Sequence, residues 1–209
     1  PDEEKSELLA MMEAPSTDDL RLPQGAPLIV IDVQQGFDDP AYWGQRNNPD
    51  AEQQIAHLLA AWRQHGWPVY FIQHNSRNPR SPLRPGTAGN AIKEIVRPQP
   101  GEPVLTKSEN SAFIGTDLEE RLRADQHNTL VLVGLTTDHC VSTTTRMAAN
   151  LGFRAILVAD ATATFDRCSP LTGRYFSADE IHEAELTSLH DEFARITRTE
   201  VLLLELAQS

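Results

Sequence analysis

Apolar runs and amphipathic stretches alternate along the chain from residue 26 onwards. Six runs of consecutive apolar residues predict β-strands, and they cover residues 28–33, 67–73, 103–106, 129–135, 154–159 and 201–204. Stretches whose apolar residues lie three and four positions apart predict helices, and these cover residues 51–65, 116–124, 139–151 and 178–196. Strands that are apolar on both faces and alternate with helices are typical of a parallel sheet covered by helices on both sides. The pattern therefore predicts an α/β fold.

The first 25 residues depart from this alternation. Residues 2–14 predict a short acidic helix, and residues 15–25 contain the Pro, Ser, Asp and Gly that mark a linker. We therefore divide the chain into a peripheral acidic arm and linker, residues 1–25, and a single domain, residues 26–209.

The net charge of the chain argues against two classes of binding partner. Thirty acidic residues against 18 basic residues give a formal net charge of -12. An acidic surface argues against nucleic acid and against an anionic membrane, because both are negatively charged. No apolar run approaches the ~20 residues of a transmembrane helix, and no basic and apolar leader opens the chain. The two cysteines, Cys140 and Cys168, suit a compartment that keeps thiols reduced, so we predict a cytoplasmic protein.

Three polar residues, Asp32, Lys107 and Cys140, lie where predicted strands end or soon after. Ligands of parallel sheets bind beyond the carboxyl ends of the strands, so these side chains can meet in one cleft. Cys140 lies at or near the start of a predicted helix, where free N–H groups and the helix dipole favour a thiolate. Each residue also has a structural interpretation: a buried packing cysteine, a carboxylate that accepts loop hydrogen bonds, and a solvated lysine.

The segments around these residues resemble those of a known family. Residues 30–37 read VIDVQQGF, residues 105–113 read LTKSENSAF and residues 134–141 read GLTTDHCV. In this order and spacing they look like the three signature segments of the isochorismatase-like cysteine hydrolases, and the resemblance covers roughly residues 26–205. Three segments in the right order are far more specific than any single match.

The resemblance implies a fold and a catalytic apparatus. The fold is a Rossmann-like, three-layer domain whose six-stranded parallel sheet has the order 3-2-1-4-5-6, with helices on both faces. The implied catalytic triad consists of Asp32 as base, Lys107 as charge stabiliser and Cys140 as nucleophile. A cis peptide bond before Thr136 is also implied, and the N–H groups of Thr136 and Cys140 would form an oxyanion hole. No cofactor is implied, and family members are commonly homodimers or homotetramers.

The implied reaction is hydrolysis of a C–N bond in a small molecule, through a thioester on Cys140. The bond belongs to an amide, a lactam or a carbamoyl group. Residues 81–87, SPLRPGT, and residues 111–116, SAFIGT, resemble a subgroup that includes streptothricin hydrolase, which opens a lactam. Two alternatives stay open. One is cysteine-independent cleavage of a vinyl ether by acid catalysis, as in true isochorismatases, and the other is a partner-binding module without catalysis.

The substrate pocket and a metal site are the remaining expectations. Two long loops, residues 37–50 and 75–101, leave the carboxyl ends of the first two strands, and loops this long are often functional. The side chains expected to line the pocket are Phe37, Tyr42, Trp43, His74 and Phe165. Nicotinamidases of the family carry an Asp and two His after the second strand, whereas residues 71–77 here contain a single histidine, so we expect no metal. His139 is a weaker candidate base than Asp32, because neighbours on a helix point about 100° apart.

Overall fold

The structure is a computed structural model and describes residues 21–208. The acidic helix predicted for residues 2–14 therefore lies outside the described residues, as does most of the N-terminal arm. Within the described part, no helix is long and apolar enough to cross a lipid bilayer.

Six parallel strands form the central sheet. Their bounds are Leu28–Ile31 for β1, Val69–His74 for β2, Val104–Lys107 for β3, Thr129–Leu135 for β4, Arg154–Ala163 for β5 and Ala194–Thr197 for β8. They lie side by side in the order β3-β2-β1-β4-β5-β8. Two short strands, β6 (Arg167–Cys168) and β7 (Tyr175–Phe176), pair as a separate antiparallel hairpin. The predicted α/β class and the order of the six strands are confirmed.

Helices cover both faces of this sheet. They are α1 (Pro40–Trp43), α2 (Ala51–Gln64), α3 (Leu118–Ala124), α4 (Ser142–Asn150), α5 (Ala178–Leu189) and α6 (Thr199–Gln208). Because successive side chains of a strand point to opposite faces, Ile29 and Ile31 of β1 pack with α3, α4 and α5, whereas Leu28 and Val30 pack with α2 and α6. The result is the three-layer arrangement.

The sixth strand is not where the apolar pattern places it. Residues 201–204 are predicted as a strand but lie in α6, where Leu202 and Leu206 occupy one buried side four residues apart. The strand is β8, inside the stretch predicted as the end of a long helix. Helix α5 stops at Leu189, and Asp191 has a positive φ of 65° that a helix cannot continue through. A short apolar run fits a strand or a buried helix equally well, so the pattern could not separate the two.

The carboxyl ends of four strands meet at one edge of the sheet. Ile31 of β1 is the register partner of Gly134 of β4. Gly134 has a φ of +127°, and a Cβ there would lie 2.0 Å from the Ile31 carbonyl oxygen. The close approach of β1 and β4 at this position therefore requires glycine. On the other side of β1, His74 of β2 pairs with Lys107 of β3. This edge therefore collects Asp32, which follows β1, and the side chains at the ends of β2, β3 and β4.

Candidate active site

Asp32, Lys107 and Cys140 meet at this edge. The Lys107 Nζ lies 2.7 Å from Asp32 Oδ2 and 3.2 Å from Cys140 Sγ. Neither the Asp32 nor the Lys107 side chain is exposed to solvent, and Cys140 is 7% exposed. Removing two opposite charges from water is costly unless they are paired. Their pairing beside a thiol therefore marks this edge as the candidate active site.

The second carboxylate oxygen of Asp32 distinguishes this ion pair. Oδ1 is buried and accepts no hydrogen bond from any described residue. The residue also has a φ of 52°, in the left-handed region that few residues other than glycine adopt. Such conformations cluster at functional sites. The ammonium of Lys107 thus contacts one carboxylate oxygen of Asp32 and leaves the other open.

The Lys107 ammonium is surrounded by more acceptors than it has hydrogens. Its Nζ lies 2.7 Å from Asp32 Oδ2, 3.1 Å from His74 Nδ1, 3.1 Å from the Glu109 carbonyl oxygen and 3.2 Å from Cys140 Sγ. An ammonium has three N–H donors, so it cannot donate to all four acceptors at once. The sulfur therefore competes with two oxygens and a nitrogen for the ammonium hydrogens.

Cys140 lies near the start of a helix, as predicted. The segment opens with a short π-helical turn, Thr137–Val141, and continues without a break as α4 from Ser142. Burial of the sulfur and then the negative charge of Asp32 raise the pKa of the Cys140 thiol to about 12, although Lys107 acts in the opposite direction. The predicted thiolate is therefore disfavoured, because the sulfur is buried and faces a carboxylate.

His74 belongs to the same cluster. A carboxylate oxygen of Asp32, a ring nitrogen of His74 and the Cys140 sulfur lie within 4.8 Å of one another. Burial and then the charge of Lys107 lower the pKa of His74, so its ring is neutral near pH 7. The Nδ1 atom faces the ammonium at 3.1 Å, which assigns it as an acceptor.

These three residues could bind a metal ion by their chemistry alone, since oxygen, nitrogen and sulfur donors all ligate divalent cations. The protein supplies its own cation instead. Lys107 Nζ lies within 3.2 Å of an oxygen of Asp32, a nitrogen of His74 and the sulfur of Cys140. A divalent cation among the same atoms would be strongly repelled by the ammonium. The cluster therefore does not fit a metal while Lys107 is charged.

Two site residues were missed from the sequence. The Asn110 side chain donates from Nδ2 to Cys140 Sγ at 3.6 Å. The fully buried Gln34 holds the end of β2, because its side chain accepts from the His74 N–H at 2.8 Å and donates to the His74 carbonyl at 3.0 Å. Both lie inside quoted signature segments, at positions 110 and 34. Nothing in a loop Asn or Gln indicates which side chain it will contact, so position within those segments was the available signal.

The predicted pocket residues fall into two places. His74 lies in the polar cluster, whereas the four aromatic residues form a cluster of their own. The ring centres of Phe37 and Trp43 are 4.8 Å apart, those of Trp43 and Phe165 are 5.6 Å apart, and Tyr42 meets Trp43 edge-on at 4.7 Å. The cluster packs with Leu135, at the carboxyl end of β4. Phe37 and Phe165 are buried and Tyr42 is 40% exposed.

The Leu135–Thr136 peptide bond is cis, as the resemblance implied. Thr136 is buried, and its carbonyl oxygen accepts from the N–H groups of His139 and Val141 at 3.2 Å. These bonds attach the end of β4 to the turn that carries Cys140. The amide of Thr136 is thereby held next to the nucleophile segment.

His139 does not belong to the cluster. Its Nε2 lies 2.8 Å from Arg167 Nη1 and 3.9 Å from Asp138 Oδ2, and its side chain is 48% exposed. Partial burial of the ring lowers the pKa of His139, although the carboxylate of Asp138 acts in the opposite direction. Within the described part of the chain, the carboxylate beside the sulfur is that of Asp32.

Comparisons with known proteins agree with this arrangement. The isochorismatase domain profile matches residues 26–201. An uncharacterised isochorismatase family protein of Bacillus subtilis, YrdC, is 51% identical over 176 residues, which are 84% of this chain and 93% of YrdC. The crystal structure of a protein described as a hydrolase of the isochorismatase family, from Chromobacterium violaceum, superimposes with a TM-score of 0.87 at 45% identity. That superposition covers 95% of this chain and all of the other.

A relative with a named reaction is more distant. The ureidoacrylate amidohydrolase RutB of Methylobacterium radiotolerans is 30% identical over 169 residues, which are 65% of this chain and 66% of RutB. The likeness therefore includes a protein named for hydrolysis of an amide-type bond.

Proposed function

The chain belongs to the isochorismatase family of hydrolases, and we propose that it is a cysteine-dependent member that cleaves a C–N bond of a small molecule. Asp32 acts as the base, Lys107 stabilises charge and Cys140 is the nucleophile. The bond belongs to an amide, a lactam or a carbamoyl group. The amidohydrolase relative supports this reaction class.

One observation carries the proposal: a buried carboxylate, one of whose oxygens has no donor among the described residues, lies in the same cluster as a buried thiol. A nucleophile and a base in reach of each other, with a third group that holds the base, form the general arrangement for nucleophilic catalysis. Lys107 is that third group, since its ammonium pairs with Asp32 Oδ2 and also reaches the sulfur.

The first half of the reaction forms a thioester. Asp32 Oδ1 takes the thiol proton as the sulfur attacks the substrate carbonyl carbon, and a C–S bond forms. Because the thiol pKa is about 12, proton transfer and attack are coupled, and no thiolate accumulates beforehand. The C–N bond then breaks, and Asp32 returns the proton to the leaving nitrogen. A positioned base of this kind contributes about 10²- to 10⁴-fold to the rate.

The second half regenerates the thiol. Asp32 takes a proton from water, the resulting hydroxide attacks the thioester carbon, and the C–S bond breaks. The acid leaves, and the proton on Asp32 returns to the sulfur. In both halves we assign the negative carbonyl oxygen to the N–H groups of Thr136 and Cys140, each such donor being worth about 2.7–4 kcal/mol.

A trapping experiment tests the proposal. Amides, lactams and carbamoyl compounds are screened for release of ammonia or amine, and the reaction with a responsive compound is quenched in acid. We expect peptide mass spectrometry to find the acyl group on Cys140. The Cys140→Ala variant should release no amine, whereas Cys168→Ser, which alters an exposed thiol, should behave as wild type.

Two results would contradict the proposal. Turnover that persists in Cys140→Ala would favour cysteine-independent acid catalysis, and vinyl ethers would then be screened with the Asp32→Asn variant as control. No turnover of any of these compounds, together with a Cys140 that never carries an acyl group, would favour a partner-binding module.

A further inference from the structure

We propose that Asn110 is a further catalytic residue, whose carboxamide donates the hydrogen bond that stabilises the Cys140 sulfur as it becomes negative. The inference rests on the proposed function, because it assigns a role at the same nucleophile. It starts from the distance of 3.6 Å between Asn110 Nδ2 and Cys140 Sγ, which lies within the range of hydrogen bonds to sulfur.

The shortage of hydrogens on Lys107 is the first reason why a second donor is needed. Of the four acceptors around its ammonium, Asp32 is charged and lies closest, at 2.7 Å. The Glu109 carbonyl and His74 Nδ1, at 3.1 Å each, compete with the sulfur, at 3.2 Å, for the two hydrogens that remain. Among the described side chains, Asn110 and Lys107 are the ones that donate hydrogen bonds to the sulfur.

The electrostatic setting is the second reason. The Asp32 charge opposes a negative sulfur, and burial removes the water that would otherwise solvate it. A neutral donor stabilises a negative sulfur and carries no charge that would form an ion pair with Asp32. Hydrogen bonds to charged groups are worth more than those between neutral groups, so the contact strengthens as the reaction proceeds.

The position of Asn110 is fixed by its loop rather than by chance contact. Lys107 at the end of β3 is tied to the end of β2 by a hydrogen bond from the Asn75 N–H to the Lys107 carbonyl at 2.7 Å. Two residues after Asn110, the buried Ala112 N–H donates to Thr144 Oγ1 of α4 at 3.0 Å. Residues on both sides of Asn110 are therefore anchored, one to the sheet and one to the helix that follows Cys140.

Asn110 also connects the sulfur to solvent. The residue is exposed, whereas Cys140 is buried. The two roles give opposite signs on removal of the side chain: loss of a donor slows attack by the sulfur, whereas loss of a purely steric cover speeds it.

The test uses iodoacetamide as the probe, since the substrate is unidentified. The second-order rate constant for labelling of Cys140 is measured from pH 7 to 10 by peptide mass spectrometry, with Cys168 as an internal reference in the same molecule. Because the thiolate is the reacting form, loss of the donor lowers the rate at every pH below the thiol pKa. We expect about a tenfold decrease in Asn110→Ala and a larger one in Asn110→Asp, whose charge repels a negative sulfur.

Asn128→Ala is the matched control. It makes the same substitution at another exposed asparagine, which lies just before β4, at the opposite end of that strand from Cys140. The hydrogen bond from the Arg154 N–H to the backbone carbonyl of Asn128, at 2.8 Å, is kept. We expect the Cys140 labelling rate of this control to stay within twofold of wild type. With a responsive amide, Asn110→Ala should lower kcat by a factor similar to its labelling effect and change KM less.

An Asn110→Ala protein that labels as fast as wild type, or faster, with unchanged Cys168 reactivity would overturn the inference. This failure is distinguishable from failure of the proposed function. If wild type forms the acyl-enzyme on Cys140, and the Asn110 variants are labelled at Cys140 as fast as wild type, the hydrolase proposal stands and the role of Asn110 falls. If Cys140 never carries an acyl group, both fall.

Discussion

Two buried lysine–carboxylate pairs in this molecule have nearly the same geometry and opposite consequences. Lys93 Nζ lies 2.7 Å from Glu52 Oε1, and Lys107 Nζ lies 2.7 Å from Asp32 Oδ2. The first pair joins the loop after β2 to the start of α2, and the second joins the ends of β1 and β3. Side-chain exposure is 11% and 9% in the first pair and 0% in both members of the second.

The difference lies in how many donors each carboxylate has. Both Glu52 oxygens are occupied, because Lys93 and Arg46 donate to Oε1 and Arg46 also donates to Oε2. Burial alone would raise the pKa of Glu52, but the hydrogen bonds and charges of Arg46 and Lys93 outweigh it and lower the pKa to about 2. Glu52 is held as an anion and serves to fix two loops.

Asp32 has one donor and one free oxygen. The Asp32 carboxylate shares its cluster with a thiol whose pKa is raised to about 12. A saturated carboxylate therefore stabilises structure, and an unsaturated one leaves a site for proton transfer. In the proposed reaction, the number of hydrogen-bond donors on the carboxylate is what separates the two roles.

The largest expected effect is on turnover, when the thiol beside the Asp32–Lys107 pair is removed. Cys140→Ala should lower turnover by about 10⁴-fold or more, because the covalent route is lost. Its free energy of unfolding should change by only about 1 kcal/mol, since the Asp32–Lys107 pair is kept. Steady-state rates and urea denaturation measure the two quantities. A variant that loses stability as strongly as activity would contradict the assignment of Cys140 to chemistry.

The next largest effect is on the free energy of unfolding, when the Lys93–Glu52 pair is disrupted. Glu52→Gln leaves Lys93 and Arg46 without their carboxylate in a buried place, and removing one partner of a buried pair costs about 3–5 kcal/mol. Urea denaturation should register this loss, while turnover per folded molecule stays within about twofold. Arg97→Gln is the control, because its exposed pair with Glu94 is worth about 0–1 kcal/mol. A Glu52→Gln protein as stable as that control would contradict the structural role.

The pH dependence of stability sharpens the same point. A carboxylate whose folded pKa is lowered contributes stability above its unfolded pKa and loses it as pH falls towards the folded value. For Glu52 the window runs from about 4.5 down to about 2, and the contribution lost across it is about 3 kcal/mol. The difference in unfolding free energy between wild type and Glu52→Gln should therefore shrink as the pH falls through this window. A difference that stays constant would show that Glu52 does not titrate as described.

The smallest expected effect concerns the identity of the base. His139→Gln should change kcat by less than about threefold, because a surface change away from the reacting atoms has little effect and the His139 ring faces Arg167. The measurement is the pH profile of kcat with a responsive amide. A loss of a hundredfold or more, with the acidic limb of the profile shifted, would assign the base to His139 instead of Asp32.

The sequence was informative where local pattern and chemistry coincide. Asp32 and Lys107 lie where apolar runs end, so the edge at which they meet could be predicted. The position of the sixth strand could not be predicted. Residues 201–204, VLLL, are strongly apolar, whereas residues 194–197, ARIT, are mixed in character and follow a helical pattern. Only packing decides which of the two joins the sheet. The predicted direction of the shift in the Cys140 pKa was also wrong, because that shift depends on burial and on the distances from the sulfur to Asp32 and Lys107. Asn110 gave no signal of its own, because the fold of its loop decides what its side chain reaches.

The most direct test of the central claim is the iodoacetamide labelling rate of Cys140 in Asp32→Asn, compared with wild type across pH. If Asp32 is a base beside a neutral thiol, its removal leaves Lys107 alone with the sulfur, so the thiol pKa falls. Labelling near pH 8 should then rise by at least about tenfold, while amide turnover falls by about 10²- to 10⁴-fold. Circular dichroism and the Cys168 labelling rate check the fold. Labelling that falls together with turnover would contradict the account, because it would mean that Asp32 maintains a preformed thiolate.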